Sequence, residues 1–144
     1  MKRVIVLFLL LMPYLLCALS VAASVNKTRI ETSDRLQYTI RIKSDKAFNV
    51  SEPQAPHIDN FSFVNMTSST RSSSSIVNFK TTRVHERSYT YIYVPLREGS
   101  STIPTQSVRV DNKVYSTKPI TVTVVKPSSS PFFLKTFINF TDLN

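Results

Sequence analysis

The chain has 144 residues, with 18 Lys and Arg against 9 Asp and Glu and a formal net charge of +9. One cysteine rules out an internal disulfide framework, and one glycine rules out a glycine-rich phosphate loop. Between its terminal segments lie about 100 residues, the size of one β-sandwich and too few for two domains.

Lys2 and Arg3 precede an apolar run from Val4 to Leu19, and Val21, Ala22 and Ala23 offer the small residues a signal peptidase accepts. Residues 1–23 therefore read as a signal peptide, with Ser24 as the mature start. An uncleaved anchor is the alternative, but the run is shorter than the ~20 residues that span a bilayer and contains Pro13. The leader implies export from the cytosol, or a membrane surface held through the signal segment. Cys17 falls inside the leader, so the mature chain carries no thiol nucleophile and no cysteine metal site. Losing Lys2 and Arg3 leaves 16 bases against 9 acids, a net charge of +7. Export argues against nucleic acid and leaves an anionic membrane surface, an acidic polymer or an acidic protein face as partner. The bases are scattered singly, so plain solubility explains them as well.

Residues 23–30 form a short opening strand, with Ser33 and Asp34 as the turn that follows. Leu36, Tyr38, Ile40 and Ile42 then alternate with Gln37, Thr39, Arg41 and Lys43, the period of a strand with one dry and one wet face. Residues 49–60 hold Pro53, Pro56, Asp59 and Asn60 without periodicity and read as an irregular crossing between sheets. Phe61 and Phe63 resume a strand. Residues 67–75 are almost all Ser and Thr, compatible with a two-sided polar strand or a loop. Residues 76–80 make a hairpin apex leading into Tyr89, Tyr91 and Tyr93, which alternate with Thr90, Ile92 and Val94. Apolar residues on both faces place that strand in the middle of a sheet, with the phenol groups satisfied by Ser and Thr neighbours. Pro95 ends it, and Gly99 supplies a turn. Asp111 and Asn112 turn the chain between Val110 and Val114, and Pro119 opens a last strand through Ile120, Val122 and Val124. Residues 126–131 have linker composition, and 132–140 form an apolar tail that reads either as a docking segment or as the start of a second domain.

Chemistry-bearing residues are few. His57 and His85 stand apart from any metal-site spacing; Glu52 and Asp59 share the loop of His57, but no metal site is assigned. No serine sits in a nucleophile elbow, and no carboxylate pair is framed to shift a pKa, so no catalytic residue and no cofactor is assigned and the chain is not read as an enzyme. Ser72, Ser73 and Ser74, within the Ser/Thr tract, form a candidate sheet edge for partner binding, against the plainer reading of a solvated loop.

In order, the Ser-rich stretch 68–76, Tyr89-Thr90-Tyr91-Ile92-Tyr93, Pro95-Leu96-Arg97-Glu98-Gly99, Thr102-Ile103-Pro104, Val108-Arg109-Val110-Asp111 and the run from Tyr115 to Val122 resemble the amino-terminal domain of the BatD (oxygen-tolerance, aerotolerance) family. The resemblance covers residues 23–125. It implies immunoglobulin-like β-domains in an exported bacterial protein, encoded beside von Willebrand factor A-type membrane proteins, and no catalytic activity. It also makes Asp59 and Asp111 candidates to complete a partner's metal coordination. Phe79 after Asn78 and Asn112 after Asp111 depart from the glycines the family usually has, so the first hairpin is expected to be longer or differently shaped.

The sequence thus predicts an all-β, immunoglobulin-like antiparallel sandwich of about seven strands over residues 24–127, followed by a linker and tail at 128–144. Its expected role is a non-catalytic periplasmic scaffold in a membrane-associated complex. A secreted adhesion or glycan-binding sandwich is the runner-up, and a glycan site requires Tyr or Phe facing solvent in a groove.

Overall fold

A computed structural model describes residues 19–128. They form nine strands and no helix: β1 (Ser20–Val25), β2 (Arg29–Glu31), β3 (Leu36–Ser44), β4 (Phe61–Val77), β5 (Lys80–Pro95), β6 (Gly99–Ile103), β7 (Ser107–Val110), β8 (Lys113–Ser116) and β9 (Ile120–Val125). The sheets are ordered β1-β3-β5-β4, β2-β9-β6 and β7-β8. All pairs are antiparallel except β2 with β9. The first sheet has the strand order of one immunoglobulin sheet, and the chain is an immunoglobulin-like β-sandwich.

β3 is the regular element the alternation demands. Leu36, Tyr38, Ile40 and Ile42 are buried while Gln37, Arg41 and Lys43 are exposed. Its register with β5 sets Tyr38 opposite Tyr91 and Ile40 opposite Tyr89. With Ile30, Ile58, Ile103, Val108, Val110, Val122 and Val124 these side chains make one core. Full burial of each large apolar group contributes about 1.5–3 kcal/mol. The wet faces explain the Ser and Thr content: Thr39–Thr90, Ser69–Ser88, Ser100–Thr123 and Thr102–Thr121 are opposed pairs whose hydroxyls meet at 2.8–3.1 Å.

Several expectations are corrected by the chain's three-dimensional pairing. The opening stretch is two strands in different sheets, because the side chain of Asn26 bends the chain by accepting from Gln37 N–H and donating to the Arg35 carbonyl. β1 begins at Ser20, so Ser20 to Ala23, inside the stretch read as leader, pair with β3. The strands number nine, and β4 and β5 are 17 and 16 residues long. The readings of residues 1–18 and 129–144, the apolar tail included, lie outside the described residues.

The phenol partners also differ from expectation. Tyr91 donates to the carbonyl of Pro53 and Tyr93 to that of Pro56, at 2.7 Å for Tyr93. Prolines have no N–H to satisfy but keep an acceptor, so a proline-rich crossing can lie buried over a row of hydroxyls. Among these three phenols it is Tyr38 whose hydroxyl meets a Ser/Thr partner in the described residues, Thr117, at 3.5 Å.

Burial raises the pKa of all three phenols, that of Tyr93 to about 12 and that of Tyr91 further, with Glu52 and the neighbouring tyrosines adding to the effect on Tyr91. The folded state therefore holds these protons to higher pH than the unfolded chain, whose tyrosines titrate near 10. Their stabilisation is complete below pH 10 and is lost as pH rises toward 12. Thermal unfolding followed from pH 8 to 12 is expected to show Tm falling above pH 10, with a shallower fall in Tyr93→Phe; identical slopes would contradict this.

Candidate functional site: the β4–β5 arm

β5 is sandwiched between β3 and β4 only as far as His85, where β3 ends at Ser44. Beyond it β4 and β5 continue alone, pairing Ser73 with Val84 through Val77 with Lys80. Five residues at ~3.4 Å each carry this two-stranded arm roughly 17 Å past the end of β3. No side chain on the arm is buried. Its strands are held by ladder hydrogen bonds and cross-strand pairs, each pair contributing about 0.2–1 kcal/mol, instead of by a core.

At the arm's base Glu86 makes ion pairs with Arg41 and Lys43, both at 3.4 Å. On the β4 side Ser72 Oγ hydrogen-bonds His85 Nδ1 at 3.0 Å and Arg87 Nε donates to Thr70 at 3.3 Å. β4 is the outer strand of its sheet, so along residues 67–77 alternate backbone groups face solvent without a strand partner among the described residues. A register irregularity between Phe63 and Asn65 sets off this polar length from the part of β4 over the core.

The arm ends in Asn78 and Phe79, with φ of 51° and 61°. Two positive φ values in a two-residue loop are the type I′ arrangement, so the hairpin is as short as a glycine-containing one, against the expectation from Phe79. Asp111 and Asn112 do the same between β7 and β8, at 47° and 64°. A phenylalanine in this region is strained by roughly 1–2 kcal/mol, and Phe79 is 105% exposed, so the side chain recovers nothing by packing. Ile76 and Val77 beside it are exposed as well.

The structure brings some candidate residues together and separates others. Ser72, Ser73 and Ser74 line one shallow cleft with Arg83 and His85 on the arm. Asp111 is placed apart from them, at the β7–β8 turn and against Asn49 of the crossing. Its Oδ1 accepts from Asn49 N–H at 2.8 Å, and its own N–H donates to the Asn49 carbonyl at 2.9 Å, so the carboxylate is committed to holding the β7–β8 turn against the crossing. Asp59 sits just before the start of β4, 13 residues from Ser72 along the chain, and about 35 Å of strand separates Phe61 from Ser72. Its side chain is 92% exposed and meets His57 at 3.3 Å. Phe79, Ile76 and Val77 were not among the candidates; the signal for them was a bulky residue after Asn78 at a hairpin apex.

The tyrosine row is buried and offers no ring to a glycan: Tyr89, Tyr91 and Tyr93 are each at most 3% exposed. Phe63, half exposed and edge-on to Tyr93 at 5.6 Å, is the aromatic that remains at that end.

Residues 23–124 match a family model described as the BatD DUF11 like domain. No curated protein resembles the chain closely enough to count as a relative. Among solved structures the chain is similar to a non-cellulosomal cohesin from the hyperthermophilic archaeon Archaeoglobus fulgidus, at 9% identity, a TM-score of 0.45, and coverage of 81% of this chain and 98% of that one.

Because glycine enters the left-handed region without strain but loses more entropy on folding, Phe79→Gly is expected to stabilise the fold by about 0.5–1 kcal/mol. Urea unfolding should show a higher midpoint at unchanged m; a lower midpoint would contradict the strained turn.

Proposed function

The chain belongs to the BatD family, and we propose that it is a periplasmic scaffold module that joins a membrane-associated complex through the free edge of β4. The observation that carries this reading is the β4–β5 arm: an edge strand of 17 residues, polar along its outer length and projecting beyond the packed body. A partner strand added there gains backbone hydrogen bonds without displacing any part of the core. The Ser and Thr side chains keep the free edge soluble, in place of the Lys or Pro that more often guard such edges. Family membership and the β-sandwich support an interaction role at the coarser level; the periplasmic site and the oxygen-tolerance context are our reading. The Lys2-Arg3 start with its apolar run from Val4 to Leu19, and the excess of bases over acids, support export and an acidic or membrane-bound counterpart.

Partners of the von Willebrand factor A type are the natural counterpart to test. Of the two candidate carboxylates, Asp59 is the better placed to complete a partner's metal coordination. Its side chain is 92% exposed, with the similarly exposed His57 beside Oδ1, whereas Asp111 Oδ1 accepts from the Asn49 N–H.

Successive N–H groups on an edge strand point alternately toward the neighbouring strand and away from it. Of Ser73→Pro and Ser74→Pro, one therefore breaks the ladder with β5 and lowers Tm, while the other removes only an outward donor. The thermally unaffected variant is expected to bind the A-type partner at least about fivefold more weakly by calorimetry. Asp59→Asn should remove the magnesium dependence of that binding. Full affinity in the thermally unaffected proline variant would contradict edge docking.

A further inference from the structure

The apex of the arm is distinct from its edge and has a chemistry of its own. Phe79 is fully exposed in a strained backbone position, and Ile76 and Val77 extend the apolar surface beside it. Neither local folding nor core packing accounts for a large aromatic there, since glycine would make the same turn without strain.

The charges around the apex are one-sided. Between Asp59 and Glu86 the sequence contains no carboxylate; the arm carries Lys80 and Arg83, and Arg71 stands below it opposite Glu86. Two acids lie near its lower part. Glu86 is committed to Arg41 and Lys43, and Asp45 borders the cleft along residues 80–83, followed in sequence by Lys46. Lys80 stands directly opposite Val77 and one residue from Phe79, so a cation accompanies the apolar apex wherever it goes.

We propose that the apex inserts into the interface of an anionic lipid bilayer, with Phe79, Ile76 and Val77 entering the headgroup and upper acyl region while Lys80 and Arg83 meet lipid phosphates. Aromatic side chains favour that depth, and cations beside them are attracted to anionic headgroups. The fit in length is also good. Interfacial segments bury their apolar face about 5–10 Å deep, and the arm extends roughly 17 Å beyond the third strand, so the apex can enter while the sandwich stays in water. The body then stands off the membrane with the β4 edge still open to a protein.

The chain contains no tryptophan, so Phe79→Trp in the full-length protein gives a single fluorescent reporter at the apex. Vesicles of phosphatidylcholine mixed with phosphatidylglycerol are expected to shift its emission to the blue, and brominated acyl chains should quench it. Neutral phosphatidylcholine vesicles should do neither. Lys80→Gln with Arg83→Gln in the same background is expected to weaken the response roughly 30-fold. Flotation of the otherwise unaltered protein should fall in Phe79→Gly, a substitution that preserves the turn. An equal shift on neutral vesicles, or flotation undiminished in Phe79→Gly, overturns the proposal. Absence of a shift with either vesicle also overturns it. None of these outcomes bears on the β4 edge, which the proline pair tests separately.

Discussion

Two phenol hydroxyls joined to two proline carbonyls fix the arrangement of this molecule. Tyr91 and Tyr93 belong to β5, the strand shared by both halves of the main sheet, and Pro53 and Pro56 belong to a segment with no strand of its own. Without those bonds the crossing would bury acceptors unpaired, at about 1–3 kcal/mol each, and the tyrosines would bury donors at similar expense. With them, an irregular segment closes over the sheet and carries Ile58 into the core. The same segment ties down its other end through Asn49 and Asp111, and it delivers the chain to the start of β4. The position of the arm follows from that delivery.

Where side-chain type alternates with period two, the fold was legible. Leu36 to Ile42 specifies its own faces, and the mixed apolar faces of residues 89–94 correctly place β5 inside a sheet. The Ser/Thr tract could not be resolved in the same way, because residues alike on both faces carry no period. It becomes strand because β5 supplies a partner for every residue from 67 to 77. The separation of β1 from β2 was hidden for another reason: it depends on Asn26 reaching residues nine and eleven places along the chain. Assigning the phenol partners to Ser and Thr rested on composition, whereas the acceptors come from a loop nearly forty residues away in sequence.

The candidate site was legible only in part. Ser72, Ser73 and Ser74 do lie on an outer strand. Asp111, at a hairpin turn, looked equally free but proves to be the turn's own fastening. Asp59 remains exposed because the crossing bends away at Asn60, whose φ is 69°. In the sequence Phe79 reads as an obstacle to a tight turn and carries no sign of being a surface; steric expectation favours a longer loop, yet the two-residue geometry that suits the twist of the ribbon prevails. Packed body and unpacked arm thus arise from one pair of strands: the inner half of β5 is stabilised by burial, β4 adds Phe61 and part of Met66 to the core, and the outer halves are stabilised by each other alone.

That division within a single strand is the central claim, and amide hydrogen exchange along β5 in the free protein tests it most directly. The account predicts protection that climbs from Lys80 toward Tyr93, with residues 89–93 exchanging only through global unfolding and residues 80–84 through local opening of the arm. Uniform protection along the whole of β5, or faster exchange at the tyrosine end, would contradict it.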